Sequence, residues 1–412
     1  MRIDGWLLAL CAARALMTSV FMTYAATLPV LRLEWGMSAT AAGSVSTGFQ
    51  LGYAVSLVVF SALADRIGAR RVFVWSAWLS AAAALAFAMG ARSYASGLAL
   101  YTVVALSQGG TYTTAIMLLA DRYPPAGRGA AVGWLIASSS LGYALSLLAS
   151  GWALAWGGYP AAFYASACGP AAGAVLSWLA LRTTPNVVHP RREGARFGTA
   201  VLRNPRAWRL IVGYTFHSWE LLGMWAWVPA FLAASFAVTG AGGVRAVERG
   251  AYVSAAFHLV GLVASTSMGR LSDRLGRRAV LFGLAASSAV CSFVFGWLIG
   301  WPIAVVFAVG AIYGFTALGD SPVLSTALTE AVSPTYLGAA LAVRSFMGFG
   351  AGSVAPLAFG AVLDATNAAG AVPTVWGWSF VTLGLGGAVA AYCAFGLARD
   401  RHPAPAATVP SR

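Results

Sequence analysis

A chain of 412 residues that is 59% hydrophobic and only 9% charged is not an ordinary soluble domain, in which roughly 25% of residues are charged. Its net charge of +14 comes from 26 Arg residues in short connections between apolar runs; no continuous basic face forms, so nucleic acid is excluded as a partner and a lipid bilayer is implied. Cys11, Cys168, Cys291 and Cys393 all fall inside apolar runs without metal-ligand or disulfide spacing, so they indicate neither a metal centre nor a redox compartment.

A membrane-spanning helix needs about 20 mostly apolar residues. Twelve such runs follow one another: 6–31, 41–64, 72–91, 94–120, 129–155, 159–181, 208–235, 250–271, 279–300, 302–328, 337–362 and 374–398. The first starts behind Arg2 like a secretory signal, but it is too long and lacks a small-residue cleavage site, so it is read as a retained helix. After the sixth comes the longest polar interval, Arg182 to Arg206, which contains Pro185, Pro190 and Pro205 among many Arg and has the composition of a linker. The expected fold class is therefore an all-α membrane protein with twelve transmembrane helices in two pseudo-symmetric six-helix bundles. Bundle 1–182, cytoplasmic linker 183–206, bundle 207–398 and tail 399–412 are the expected parts.

Orientation follows from the Arg count. With the N-terminus inside, the inner segments hold 20 Arg, whereas the outer loops hold only Arg32, Arg92, Arg245 and Arg249. Because basic residues are retained on the cytoplasmic side, both termini are expected there, in a multi-pass protein of the cell inner membrane, read as a monomer. The halves also repeat each other. Asp65 and Asp273 are 208 apart; Asp121-Arg-Tyr-Pro-Pro125 meets Glu330-Ala-Val-Ser-Pro334 at an offset of 209, which Gly129-Ala-Ala and Gly338-Ala-Ala share, as do Gly151 and Gly360. A constant offset over such a distance implies duplication.

The duplicated element that stands out is a charged loop. Its second copy reads Gly269-Arg-Leu-Ser-Asp273-Arg274-Leu-Gly276-Arg277-Arg278, and its first Ser61-Ala-Leu-Ala-Asp65-Arg66-Ile-Gly68-Ala69-Arg70-Arg71. With the helix count and the central linker, this loop resembles the one between the second and third helices of the major facilitator superfamily, Gly-x-x-x-Asp-Arg/Lys-x-Gly-Arg/Lys-Arg/Lys. The second copy fits at every fixed position; the first has Ser61 for Gly and Ala69 for a base. The resemblance implies secondary transport by alternating access. It also implies that the loop latches the two bundles while the outside is open, a role carried to Asp65, Arg66, Gly68, Arg70, Gly269, Asp273, Arg274, Gly276 and Arg277. Independently of the resemblance, Gly68 and Gly276 suit a tight turn and the Arg cluster suits an anionic inner surface. A role in topology alone is the plainer reading.

Ionisable residues inside apolar runs cost about 2.5–3.5 kcal/mol each on insertion scales, so each is a functional candidate. Arg14, Glu220, Asp320 and Arg344, with His217 and His258, are such residues. His217 and Glu220, three apart on the seventh helix, share a face and form a candidate proton site with Asp320; a hydrogen-bonded packing pair is the alternative. Arg14 is the candidate for a carboxylate ligand, with Gln108, Tyr112, Trp219 and Trp227 as further substrate-binding candidates. Competing with that, Asp320 and Arg344 are expected to neutralise each other on adjacent helices, and Glu220 can do the same for Arg14. His258 reads as a satisfied packing residue.

Where the resembled families often carry Arg three residues before Gln108-Gly109, this chain has Ala105. Ala137-Ser-Ser-Ser-Leu-Gly142 lacks the Pro of drug/proton antiporters, and Gly348 to Pro356 lacks the Asn-bearing signature of nitrate porters. No nucleophile-base set, phosphate loop or metal ligand set is recognisable, so an enzyme is not expected, no catalytic residue is assigned, and no cofactor is expected. The expected function is secondary active transport of a small solute, an organic anion or carboxylate, coupled to protons or to an exchanged anion. Export of amphipathic drugs is the alternative, and a non-transporting membrane sensor a remote one.

Overall fold

The computed structural model describes residues 4–188, 203–332, 337–368 and 374–397. Arg2, residues 189–202 of the expected linker and the tail 399–412 lie outside the described residues. Among the described residues eleven helical runs are long and apolar enough to cross a membrane, and the longest reverses on itself, giving twelve segments: α1 (Gly5–Glu34), α2 (Ala39–Ile67), α3 (Ala69–Gly90), α4 (Tyr94–Arg122), α5 (125–156), α6 (159–181), α7 (Pro205–Val238), α8 (Gly243–Leu275), α9 (Arg277–Leu298), α10 (Ile303–Ala331), α11 (Leu337–Thr366) and α12 (Gly377–Phe395).

The α5–α6 pair is one continuous run of 57 residues, Pro125–Leu181. Straight, it would reach about 85 Å at 1.5 Å per residue, far beyond a hydrocarbon core of about 30 Å. It turns back at Gly157 and Gly158, the second at φ +68°. The reversal is visible in packing: Gly142 and Gly169 both lie against residues 15–19 of α1.

Two helices are broken in mid-course. Within α1, helical geometry stops at Thr18 and resumes at Thr23, and α4 is interrupted at Gly109. Freed backbone groups cannot be left bare in lipid, and side chains meet them. Tyr101 donates to Phe21 O (2.5 Å), Ser146 accepts from Met22 N (3.0 Å), Gln108 donates to Met17 O (2.9 Å), and Ser56 accepts from Gly109 N (2.7 Å).

The two halves meet along α2–α11 and α5–α8, with α1 also reaching α7 and α8. On α2–α11, Gly43 faces the Pro356 carbonyl and Gly360 faces the Ala39 carbonyl, so close that a Cβ on either glycine would fall 2.2 Å from that oxygen. On α5–α8, Gly151 lies against Ala251 and Tyr252. Gly151 and Gly360 are the pair related by the sequence offset of 209; duplication has put a close-approach glycine at the same place in each seam. The Asp364 carboxylate seals the α2–α11 seam, accepting from Ala39 N (2.8 Å), Thr40 N (2.7 Å) and Thr40 Oγ1 (2.7 Å). An anion at a helix N-terminus satisfies free N–H groups and complements the macrodipole.

Both seams concentrate toward the ends of the helices remote from the duplicated charged loops. At the charged-loop face each loop is tied within its own half. Gly68 and Gly276 take φ +94° and +86°, the geometry a tight turn demands. Arg70 donates to Leu181 O (2.8 Å) and Arg182 O (3.1 Å), and Asn186 braces the first loop by donating to Ile67 O (2.8 Å) and accepting from Arg71 N (3.2 Å). In the second loop Arg277 bridges Asp273 (2.6 Å) and Glu330 (2.9 Å). Asp65, Arg66 and Arg274 are exposed, and among the described residues Asp65 and Arg66 have no ion-pair partner. Among the described residues no ion pair joins the two charged loops, and the close contacts between the halves lie toward the opposite face.

Gly276→Ala forces a side chain into a backbone region that is essentially glycine-only, at about 1–3 kcal/mol; the detergent-solubilised variant is expected to melt below wild type. Asp364→Ala removes the charged acceptor at the seam, where hydrogen bonds to a charge contribute about 1.5–3 kcal/mol each. Spin labels at Leu33 and Thr366, on a background without the native cysteines, are expected to move apart in that variant.

Candidate functional site

Arg14 is 1% exposed near the middle of the first half. Three other helices hold its guanidinium: Nε donates to Ser139 Oγ on α5 (3.0 Å), Nη1 to Thr111 Oγ1 on α4 (2.6 Å), and Nη2 to Tyr53 OH on α2 (3.3 Å). The ring of Tyr112 lies 5.3 Å from the guanidinium carbon. All of these partners are neutral. Glu220 is not Arg14's counter-ion, contrary to one expectation, because it is committed elsewhere.

Glu220 is 3% exposed and turns into the second half, where Oε1 accepts from Ser288 (2.9 Å) and Ser292 (2.6 Å) on α9, while Oε2 packs against Gly387 of α12. The expected His217–Glu220 pair is therefore not formed. His217 instead donates from Nδ1 to Asp320 Oδ2 (2.9 Å), with Ser321 Oγ 2.9 Å from its Nε2. That bond also replaces the expected Asp320–Arg344 pair. Arg344 donates to Ser325 Oγ (2.7 Å) and lies over the Tyr214 ring at 4.2 Å. Three apart on a helix places His217 and Glu220 side by side, but the choice of partner fell to helices α9 and α10, which spacing along α7 cannot reveal.

Other candidates have their polar atoms engaged in packing. Gln108, fully buried, fastens the α1 break through Met17 O. Trp219 donates to Thr382 O (3.0 Å) toward α12; Trp227 donates to Pro356 O (3.0 Å) and stacks on Phe359. Tyr112 is different: half-buried on α4, it lies beside Arg14 of its own half and within electrostatic range of Arg344 of the other. His258, expected to be satisfied, is 6% exposed with Nδ1 lacking a partner. It lies edge-on to Tyr143 of α5 at 5.7 Å, and Tyr143 also meets Trp225 at 5.2 Å. Sequence reading passed over Ser139, Thr111, Ser288 and Ser292. Ser288 and Ser292, four apart on an otherwise apolar helix, were the available signal of a polar stripe.

Among the described residues no cluster suited to a metal ion is present. The profile of the Major Facilitator Superfamily matches residues 10–265 and 243–412. A "Probable anion transporter 4, chloroplastic" of Arabidopsis thaliana is 26% identical over 250 residues, 54% of this chain but only 45% of that protein, so this chain aligns with less than half of that relative's length. A "Probable 4-methylmuconolactone transporter" of Cupriavidus pinatubonensis is 24% identical over 341 residues, covering 78% of this chain and 76% of the relative. Among solved structures, a D-xylose-proton symporter superposes with a TM-score of 0.77 at 16% identity, over 95% of this chain and 97% of that one. A bacterial homologue of the human lysosomal transporter Spinster, in an inward-facing and unoccupied conformation, does so at 0.72 and 18%, over 96% and 97%.

Breaking a buried pair by removing one partner costs about 3–5 kcal/mol, whereas replacing both costs less. In a double-mutant cycle read by thermal unfolding, His217→Leu and Asp320→Leu are each expected to destabilise strongly and their combination to fall well short of the sum; additive losses would show that the two act apart.

Proposed function

This chain belongs to the Major Facilitator Superfamily, and we propose that it is a secondary active transporter of a small organic anion, a carboxylate, coupled to protons. The observation that carries the reading is Arg14. A guanidinium has five N–H groups, and three are engaged by neutral hydroxyls. Two remain for a bidentate carboxylate. A buried charge costs several kcal/mol unless an opposite charge accompanies it, and Arg14's protein partners bring none. Arg344, from the other half, reaches the same Tyr112 and is itself held by a hydroxyl and an aromatic ring.

An anion at Tyr112 would offset two cations that belong to different halves. Without it, drawing the halves together at the charged-loop face brings like charges closer; with it, closure there becomes favourable and the opposite seam, with Asp364 on the α2 N-terminus, is free to part. The excess of Arg on the charged-loop face supports placing that face in the cytoplasm of a cell whose inner membrane holds the protein. On that orientation the structure is inward-facing. The names of the two relatives, an anion transporter and a methylmuconolactone transporter, agree with the solute class. Proton coupling agrees with the name of the xylose-proton symporter, and Glu220, His217 and Asp320 are the candidates for it in this chain. Trp219 and Trp227 donate to backbone carbonyls of α12 and α11, so their indole N–H groups are not available to an amphipathic drug.

Purified protein in proteoliposomes, offered succinate, benzoate, inorganic phosphate, xylose and uridine with and without a pH gradient, tests the reading. Uptake of a carboxylate, stimulated by the gradient, is expected. Arg14→Gln is expected to weaken it roughly 10–150-fold, the worth of one hydrogen bond to a charge, and Arg14→Lys to restore it only in part, since an ammonium has no bidentate fork. Flux of xylose or uridine without any anion, or anion flux indifferent to Arg14→Gln, overturns it.

A further inference from the structure

Two small cavities lie in the second half on either side of Glu220. The one toward the sealed face, about 20 Å³, is bounded by α7, α8, α9 and α10, with Trp225, Ser254, His258 and Tyr313 on its wall. His258 Nδ1 and Trp225 Nε1 are buried there without a partner. The other, about 10 Å³, lies toward the charged-loop face between α7, α9, α10 and α12 and runs from Arg209 and Cys393 to Asp320. Asp320 is 4% exposed and its Oδ1 also has no partner. Both cavities are lined mainly by apolar side chains, but a space of about 10–15 Å³ holds one water where it offers polar partners, and the unpartnered buried atoms beside these cavities are such partners.

Side chains span the distance between these cavities. Tyr313 lines the first and its hydroxyl is bonded to Ser292, whose Oγ lies 2.6 Å from Glu220 Oε1. A serine has one hydroxyl proton. Once Ser292 gives it to the carboxylate, Ser292 must accept from Tyr313, which orders the chain Tyr313 to Ser292 to Glu220. One turn along α7, His217 is bonded to Asp320, a residue that also lines the other cavity and whose second oxygen has no partner. Glu220 and His217 each bond away from the other, so the chain is interrupted between them.

We infer that the second half carries its own proton track, entering through Tyr313 and Ser292 to Glu220 and leaving through His217 and Asp320 beside Arg209, with the Glu220–His217 turn as its switch. The inference rests on the proton coupling proposed above and adds the route. A proton taken up at the Tyr313 oxygen releases that hydroxyl's proton to Ser292, which releases its own to Glu220; each O–H bond broken is matched by one formed, and the net change is a neutral Glu220. Handed to Nε2 of His217, from which Ser321 Oγ must first turn away, the proton frees the one on Nδ1 for Asp320 and thence for water in the second cavity. The interruption prevents a leak when no solute is moved.

Among the described residues, the charged and titratable groups that face the track are Cys291 and Tyr313 at Glu220, Tyr214 beside His217, Tyr143 across the interface at His258, Arg209 and Cys393 at the second cavity, and Arg344 over Tyr214. Arg344 also reaches Tyr112. It lies over Tyr214, whose ring meets that of His217 at 5.7 Å, so it disfavours a positive His217, and an anion bound at Tyr112 would offset that repulsion. Anion and proton therefore favour each other's binding, the sign required for symport.

The test compares wild type with Tyr313→Phe and Ser292→Ala in proteoliposomes, using succinate, benzoate and inorganic phosphate as probes in two assays. One is uptake driven by an imposed pH gradient; the other is exchange of the same probe at equal pH on both sides, which needs no net proton. Either variant is expected to lose roughly tenfold or more of the gradient-driven uptake, in keeping with the worth of a positioned proton carrier, while exchange stays close to wild type. Unchanged gradient-driven uptake overturns the track, and so does equal loss in both assays, which would assign the two hydroxyls to packing. A wild type that exchanges a probe but ignores the gradient refutes proton coupling and the track together; one that moves none of the probes refutes the anion reading.

Discussion

A guanidinium held in the middle of an apolar bundle must be surrounded by acceptors or by opposite charge, and in this protein only the first need is met from within. Arg14 draws Ser139, Thr111 and Tyr53 from three helices to itself. Thr111 in turn donates to the Gln108 carbonyl, and Gln108 fastens the break in α1. The broken courses of α1 and α4 are thus tied to the same network that holds the charge. Unwound backbone inside a membrane survives only where protein groups satisfy it, and these satisfy it beside Arg14, a fully buried cation whose partners are neutral. The site is held rigid and left one charge short.

The second half solves a different problem with the same vocabulary. Its buried carboxylates are stabilised by hydroxyls and a histidine: Glu220 by two serines of α9, Asp320 by His217. Polar groups of the two halves are segregated accordingly, cation-centred in the first and carboxylate-centred in the second, and Arg344 is the residue with reach toward both. An arrangement of this kind lets a charge arriving in one half be felt in the other without a direct bond between them.

Closure at the sealed face depends on small residues. At Gly43, Gly151 and Gly360 the opposing helix comes so near that a side chain would displace it. Van der Waals contact of this kind drives helix association in lipid, and Asp364 adds direction by taking the free N–H groups of α2. Contacts between a carboxylate and a helix end are made or lost as a unit.

Much of this was legible in the chain itself. Hydropathy determined the twelve crossings, because bilayer thickness sets helix length; Pro- and Arg-rich composition marked the interval between halves; and a constant offset exposed the duplication that later proved to align Gly151 with Gly360. The candidate ionisable residues were also legible, since a charge in an apolar run is costly wherever it points. Their partners were not. Ser139 is 125 residues from Arg14, and Asp320 is 103 from His217, so spacing along α7 favoured Glu220 for His217, and position on adjacent helices favoured Arg344 for Asp320. Rotation of each helix about its axis decides which neighbour a side chain meets, and that rotation is fixed by packing against several helices at once. The sequence determined that this protein crosses a membrane twelve times and carries charge inside it; the tertiary structure alone decided that Arg14 faces neutral hydroxyls while the carboxylates are satisfied elsewhere.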